Sequence, residues 1–172
     1  LNTRISKKTR EFDVEHLRVA IDTVLERQGT LVLPAFSFAR SQELLTTLYL
    51  LFGKDELFTT PIIVDSMLTC DICDAYGNVL SDDDYELWNK VYNWENVKYI
   101  REKTDSQACV LDNTPKIVIS SSGFCTNGRI LSYLTQYLKD INSMIIFSGF
   151  VGDNDSYLSY RIKNGKTNKT IN

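Results

Sequence analysis

Five short apolar, β-branched runs alternate along this chain with longer stretches in which apolar residues recur every three or four positions. The runs span residues 30–34, 61–65, 97–100, 116–120 and 143–148. Side chains repeat with period two in a strand and period 3.6 in a helix, so the two patterns call for different conformations. The runs are almost continuously apolar rather than alternating, which fits strands covered on both faces. Strands separated by helices imply crossover connections, and those build a mostly parallel sheet. The expectation is a three-layer α/β domain over residues 1–172, with about five or six strands and helices on both faces.

The helical stretches carry their own punctuation. Val14, Leu17, Ala20, Ile21, Val24 and Leu25 form one stripe, with Asp13 as a cap and Gly29 as a stop. Leu44, Leu45, Leu48, Leu51 and Phe52 form a second, from Ser41 to Gly53. A third helix is predicted over 66–76, with Asp65 favoured as its cap. Ser81 and the acidic run Asp82, Asp83 and Asp84 open a fourth, carrying Tyr85, Trp88, Val91 and Tyr92; carboxylates suit the positive end of a helix dipole. Shorter helices are predicted over 105–111, 128–138 and 156–162, and a polar loop over 163–172.

Composition closes several routes. With 19 Lys and Arg against 22 Asp and Glu, the chain cannot hold nucleic acid by bulk charge, so such a role needs a local site. Four cysteines and one histidine, His16, are too few and too scattered for a disulfide scaffold or a multi-histidine metal centre. No apolar run approaches the ~20 residues of a membrane span. With no leader pattern at its start, the chain is expected to be cytoplasmic and free of membrane. Its first residue is Leu1 rather than Met, which suggests a piece of a longer protein.

In open α/β sheets ligands sit beyond the carboxyl ends of the strands, so the loops there are the candidates. Residues 120–129 combine three serines, two glycines and Arg129 ahead of a helix, which suits either an anion held by backbone N–H groups or an ordinary capped turn. Their spacing approaches a P-loop, but Ile130 offers no hydroxyl to magnesium and Arg129 stands in place of the lysine. Arg40 follows Phe36 and Phe38, a cation beside rings that could stack on bases, or forms an exposed pair with Glu43. Asp65 reads as a ligand, a base or a helix cap. No Ser-His-Asp triad or G-x-S-x-G elbow is present.

Taken in order, these loops resemble the β-CASP domain of metallo-β-lactamase-fold RNA-processing nucleases. Residues 2–5 resemble the start of that domain. Residues 29–45 (G-T-L-V-L-P-A-F-S-F-A-R-S-Q-E-L-L) are similar to its G-G-x-V-L-I-P-A-F-A-x-G-R-x-Q-E-L-L segment, and 63–66 (I-V-D-S) to its V-D-S-P-L turn. The strongest likeness is 117–130, I-V-I-S-S-S-G-F-C-T-N-G-R-I, and 145–150 close the set. Each motif is weak alone; four in order are specific. The resemblance implies a Rossmann-like cassette inserted in a larger protein, clamping single-stranded RNA while zinc in a metallo-β-lactamase domain of the same parent chain cleaves it. It places RNA or phosphate contacts at Arg40, Asp65, Ser66, Ser120, Ser122, Gly123, Gly128, Arg129, Gly149 and Arg161, with no metal ligand or catalytic residue in this chain. Met67, Phe124, Asn127 and the run from Val151 to Leu158 depart from the family pattern. Those departures keep a second expectation open, a non-catalytic interaction module that docks a protein or forms a homodimer.

Overall fold

The computed structural model describes residues 5–149 and 151–165, with side chains from residue 14 onward. The chain runs α1 (Ile5–Glu26), β1 (Thr30–Pro34), α2 (Arg40–Phe52), β2 (Ile62–Asp65), α3 (Met67–Tyr76), a 3-10 turn (Gly77–Val79) and α4 (Asp82–Tyr92). It continues through β3 (Val97–Ile100), α5 (Lys103–Leu111), β4 (Lys116–Ser120), α6 (Ile130–Tyr137), β5 (Met144–Ile145) and α7 (Leu158–Lys163). The five strands form one sheet in the order β3-β2-β4-β1-β5, and every pairing is parallel.

The strands sort their side chains by period two. Leu31, Leu33, Ile62, Val64, Ile117 and Ile119 face a core made with α1, α2, α3 and α4. Val32, Ile63 and Val118 face the opposite core, made with α5 and α6 and flanked by Leu158 and Ile162 of α7. Slipping a strand by one residue would exchange those sets, so burial on both faces sets the register. Both outer strands are only half-buried, and β3 turns Lys98 to solvent, as an edge strand should.

Several boundaries differ from the sequence reading. Helix α1 begins at Ile5, which puts Asp13 inside it rather than at its cap; the good helix formers Lys7, Lys8 and Arg10 extend it upstream. Its stop is Gln28, with φ of 57°, while Gly29 is needed because a Cβ there would lie 2.0 Å from the Asn142 carbonyl oxygen. Helix α3 is capped by Ser66, not Asp65: the Ser66 hydroxyl accepts from the Thr69 amide at 3.3 Å. Strand β5 shrinks to two residues, because only β1 pairs with it and the backbone leaves after Ile146 donates to Val32. The expected features at 2–5 and 166–172 lie wholly or largely outside the described residues.

Pro34 aligns with Ser120, and Ser120 with Asp65, which aligns with Ile100. Four strands therefore end level. Helix α2, after β1, packs on one face, and α6, after the neighbouring β4, packs on the other. Adjacent strands whose chains leave to opposite faces open a crevice between them, the usual ligand position in such sheets.

Candidate functional site

Asp65 closes β2 with its side chain fully buried. Its Oδ1 accepts from Arg129 Nη1 at 2.8 Å. Its Oδ2 accepts from Ser106 Oγ at 2.7 Å and from Tyr133 Oη at 2.6 Å. Its backbone carbonyl accepts from Ser120 Oγ at 2.7 Å. A carboxylate so deep in the fold must be matched by donors, and here helix α5 and helix α6 with its N-terminal flank supply them. Burial, reinforced by the Asp65 hydrogen bond, pushes the Tyr133 phenol far above its usual range, which keeps it a donor.

Arg129 also donates to the Ile100 carbonyl at 3.0 Å and the Arg101 carbonyl at 2.5 Å. Its guanidinium thus straps the ends of β2 and β3 to the start of α6. The contact implied for phosphate is, in this fold, mostly spent on internal partners, with about a quarter of the side chain exposed. Asp65, Ser66 and Ser120 are likewise buried, so they frame the loops from beneath. Arg101, whose carbonyl receives Arg129, is held in turn by Asp74 at 2.7 Å.

The loop from Ser121 to Gly128 folds on itself. Ser121 Oγ donates to Ser66 Oγ at 2.8 Å. Ser122 Oγ accepts from the Thr126 amide at 3.2 Å, and the Ser122 amide donates to the Asn127 carbonyl at 3.2 Å. That last contact uses the backbone of Asn127, so its side chain can vary. Gly128 has φ of 85°, and a Cβ there would stand 2.3 Å from the Ser121 carbonyl oxygen, so only glycine closes this turn. Phe124 sets its ring against Phe36 at 4.9 Å and Tyr157 at 4.8 Å, tying together the loops after β1, β4 and β5.

Arg40 stands differently. Its side chain is 38% exposed and pairs with Glu43 at 2.7 Å. It follows a γ-turn in which Ala39 has φ of 64° and the Arg40 amide donates to the Phe38 carbonyl at 2.8 Å. Ser41 Oγ and Gln42 Nε2 hold the turn by donating to the carbonyls of Phe36 and Ser37 at 2.8 and 3.1 Å. The guanidinium lies over Gly149, where a Cβ would sit 3.6 Å from its nitrogens. Together with Pro34, Ala35, Phe36, Gly123, Phe147 and Ser148 they line a cleft of about 190 Å³. A Cβ on Gly123 would come 2.9 Å from the Phe36 ring and press on this wall. Among the described residues the buried Ser148 hydroxyl has no hydrogen-bond partner.

The ten residues singled out in the sequence therefore divide. Arg40, Gly123 and Gly149 meet at the cleft. Asp65, Ser66, Ser120 and Arg129 form the polar floor beside it, and Ser122 and Gly128 shape the loop between. Arg161 is not among the residues lining the cleft; it lies half-buried on α7, and its Nε has no partner among the described residues. Sequence reasoning missed Ser106 and Tyr133, the neutral donors to Asp65. Tyr133 lies three residues after Ile130 and four before Tyr137, on the buried stripe of α6, and a buried phenol there needed an acceptor.

Among the described residues no three His, Cys, Asp or Glu side chains converge to hold a metal, so these residues do not fit a zinc site. No described helix is long and apolar enough to cross a membrane.

The Beta-Casp domain family matches residues 41–155. The chain is 28% identical to a transcription termination factor FttA of Methanocaldococcus jannaschii over 149 residues, which cover 81% of this chain and 23% of that protein. It is 28% identical to an RNase J-like protein of the same organism over 87% of this chain and 34% of that one. It is 25% identical to ribonuclease TTHA0252 of Thermus thermophilus, over 82% of this chain and 33% of the relative. The chain thus spans about a quarter to a third of the relatives it matches.

Proposed function

The chain belongs to the β-CASP family, and from that premise we propose that its carboxyl-edge loops grip single-stranded RNA for a zinc-dependent RNA-processing nuclease. Zinc and phosphodiester cleavage are assigned to a metallo-β-lactamase domain of the same protein, outside these 172 residues. The relatives named a ribonuclease and an RNase J-like protein support that assignment. The protein is placed in the cytoplasm, where its four free thiols stay reduced.

One observation carries the reading. At the crevice between β1 and β4, the exposed Arg40 guanidinium lies beside two glycines and within the same loop as Phe36 and Phe38, which are 42% and 64% exposed. A cation for phosphate and rings for bases are what a sequence-tolerant single-strand site requires. Arg40 makes the direct phosphate contact in this proposal. Gly123, Gly149, Ser122 and Gly128 let the strand approach, and Arg129 with Asp65, Ser66 and Ser120 keeps the loops in place. Arg161 stays outside the direct contact set.

Fluorescence anisotropy with a labelled single-stranded RNA tests this. Affinity is expected to fall with salt. Arg40→Ala is expected to weaken it about tenfold and to flatten the slope of log K against log salt by about 0.7, the share of a single neutralised phosphate. Unchanged affinity and slope in Arg40→Ala would sink the proposal. The competing reading, a protein-docking or dimerisation module, draws on exposed Asp153, whose charge stands in the loop after β5. It gains if the chain ignores RNA at low salt and sediments as a dimer.

A further inference from the structure

A second opening lies on the α1–α4 face. It is a groove of about 670 Å³ whose floor is Val14, Tyr76, Leu80, Leu87 and Trp88. Glu43 and Asp84 also line it, and no lysine or arginine does among the described residues. Asp82, Asp83 and Glu86 on the exposed side of α4 extend the negative rim.

Two further observations point to an occupant. Gln42 is fully buried and lines the groove; its amide nitrogen is used by Ser37 and Cys73, while its Oε1 has no donor among the described residues. An acceptor left without a donor is unfavourable, and since this oxygen is enclosed, a small shift of the Gln42 side chain as the groove fills would bring it to a donor on the ligand. The apolar surface also runs on past the groove. Trp88 contacts Tyr76 at 4.9 Å, Tyr76 contacts Phe38 at 6.5 Å, and Val79 and Tyr85 stand 75% and 50% exposed beside them. A small molecule would cover the floor and leave that track wet. A helix laid along it would cover both.

We propose that this groove docks a cationic amphipathic helix of a partner protein, its apolar stripe on Tyr76, Leu80, Leu87 and Trp88 and its lysines or arginines against Asp84 and the α4 carboxylates. The charge pattern selects the sign of the partner, and the orphaned Gln42 oxygen selects a hydrogen-bond donor. The groove and the crevice cleft have separate linings but adjoin at the start of α2, where Phe38 ends the apolar track and Glu43 of the groove pairs with Arg40.

The test uses the whole chain and a labelled 14-residue peptide with leucines at i, i+3, i+4 and i+7 and lysines flanking them. Its twin carries glutamates in place of the lysines. Anisotropy reads affinity, and hydroxyl-radical footprinting reads position. The lysine peptide is expected to bind at least tenfold more tightly than its twin and to protect the exposed Tyr85 and the half-buried Tyr76 from oxidation. Asp84→Lys, an exposed substitution, is expected to weaken it at least fivefold with RNA affinity unchanged. Equal binding of the twins, no binding of either, protection elsewhere, or indifference to Asp84→Lys would each overturn the proposal.

Discussion

The middle of the sheet carries a buried charge at each end, Lys116 at the amino end of β4 and Asp65 at the carboxyl end of the neighbouring β2, and the two are satisfied in opposite ways. At the amino end Lys116 is 2% exposed; its Nζ donates to the carbonyls of Asp112 and Thr114 and lies 5.5 Å from the centre of the Tyr137 ring. The Tyr137 hydroxyl donates to the carbonyls of Val110 and Asp112 at 3.1 and 3.0 Å. This end closes the carboxyl terminus of α5, where unpaired carbonyls favour a cation. At the carboxyl end Asp65 is matched by a countercharge and two hydroxyls, one of them Ser106 in the first turns of α5. Helix α5 is thus pinned at both ends. The amino-end lock uses backbone acceptors that any sequence supplies. The carboxyl-end lock uses side chains from four elements, and it lies beneath the loops that flank the crevice. Specific side chains are concentrated at the end where the crevice loops are held, and generic carbonyls suffice at the other end.

Four outcomes would break or sharpen that contrast. The largest effect is expected for Asp65→Ala, which strands Arg129, Ser106 and Tyr133. Removing one partner of a buried ion pair costs about 3–5 kcal/mol, read as a lower urea midpoint. Next is Tyr133→Phe, which removes one hydrogen bond to a charged group and is expected to cost about 1.5–3 kcal/mol in the same measurement. Smaller again is Lys116→Met, which keeps the hydrocarbon stem on Tyr137 and leaves only carbonyl acceptors, one still served by the Tyr137 hydroxyl. About 1 kcal/mol is expected. A cost equal to that of Asp65→Ala would show that the two ends are not different in kind.

At neutral pH the last outcome has no effect, because it concerns alkali. Burial pushes the Cys125 thiol, in the loop after β4, from 9.0 up to about 12. The Cys73 thiol is raised by burial to about 11. The folded state therefore keeps protons that the unfolded state releases. That contribution is complete below pH 9 and is lost as pH rises from about 9 toward 12. Thermal melts across this range should fall, and Cys125→Ala should blunt the fall. Thiol labelling at pH 8 should reach Cys109, which is half-buried, well before Cys70, Cys73 and Cys125.

Much of the architecture was legible. Continuous apolar runs and period-3.6 stripes placed the five strands and the seven α-helices of the described residues, because burial on both sheet faces leaves a continuous apolar run and a one-sided helix leaves a stripe; they did not place the 3-10 turn, the upstream turns of α1 or the short extent of β5. The crevice loops were legible too, since glycines and serines after strands mark places where backbone comes close to something. The roles within them were less so. Arg40 and Arg129 look alike in the sequence, each an arginine opening a helix after a small-residue loop. One is exposed beside a cleft, and the other is spent on Asp65 and two carbonyls.

The chain's residues alone determined the α/β class, the order of its elements, the solvent-facing charge of its helices and the loops that carry its family likeness. Those follow from local propensity and from the periodicity of apolar side chains, which neighbours along the chain express. Tertiary structure decided the strand order, the cap at Ser66 and the partners of Asp65, which lie 64 and 68 residues away at Arg129 and Tyr133. It also left Arg40 exposed at the cleft. Pairing of buried charge depends on which distant donors reach the same point, and only the packed sheet brings them there.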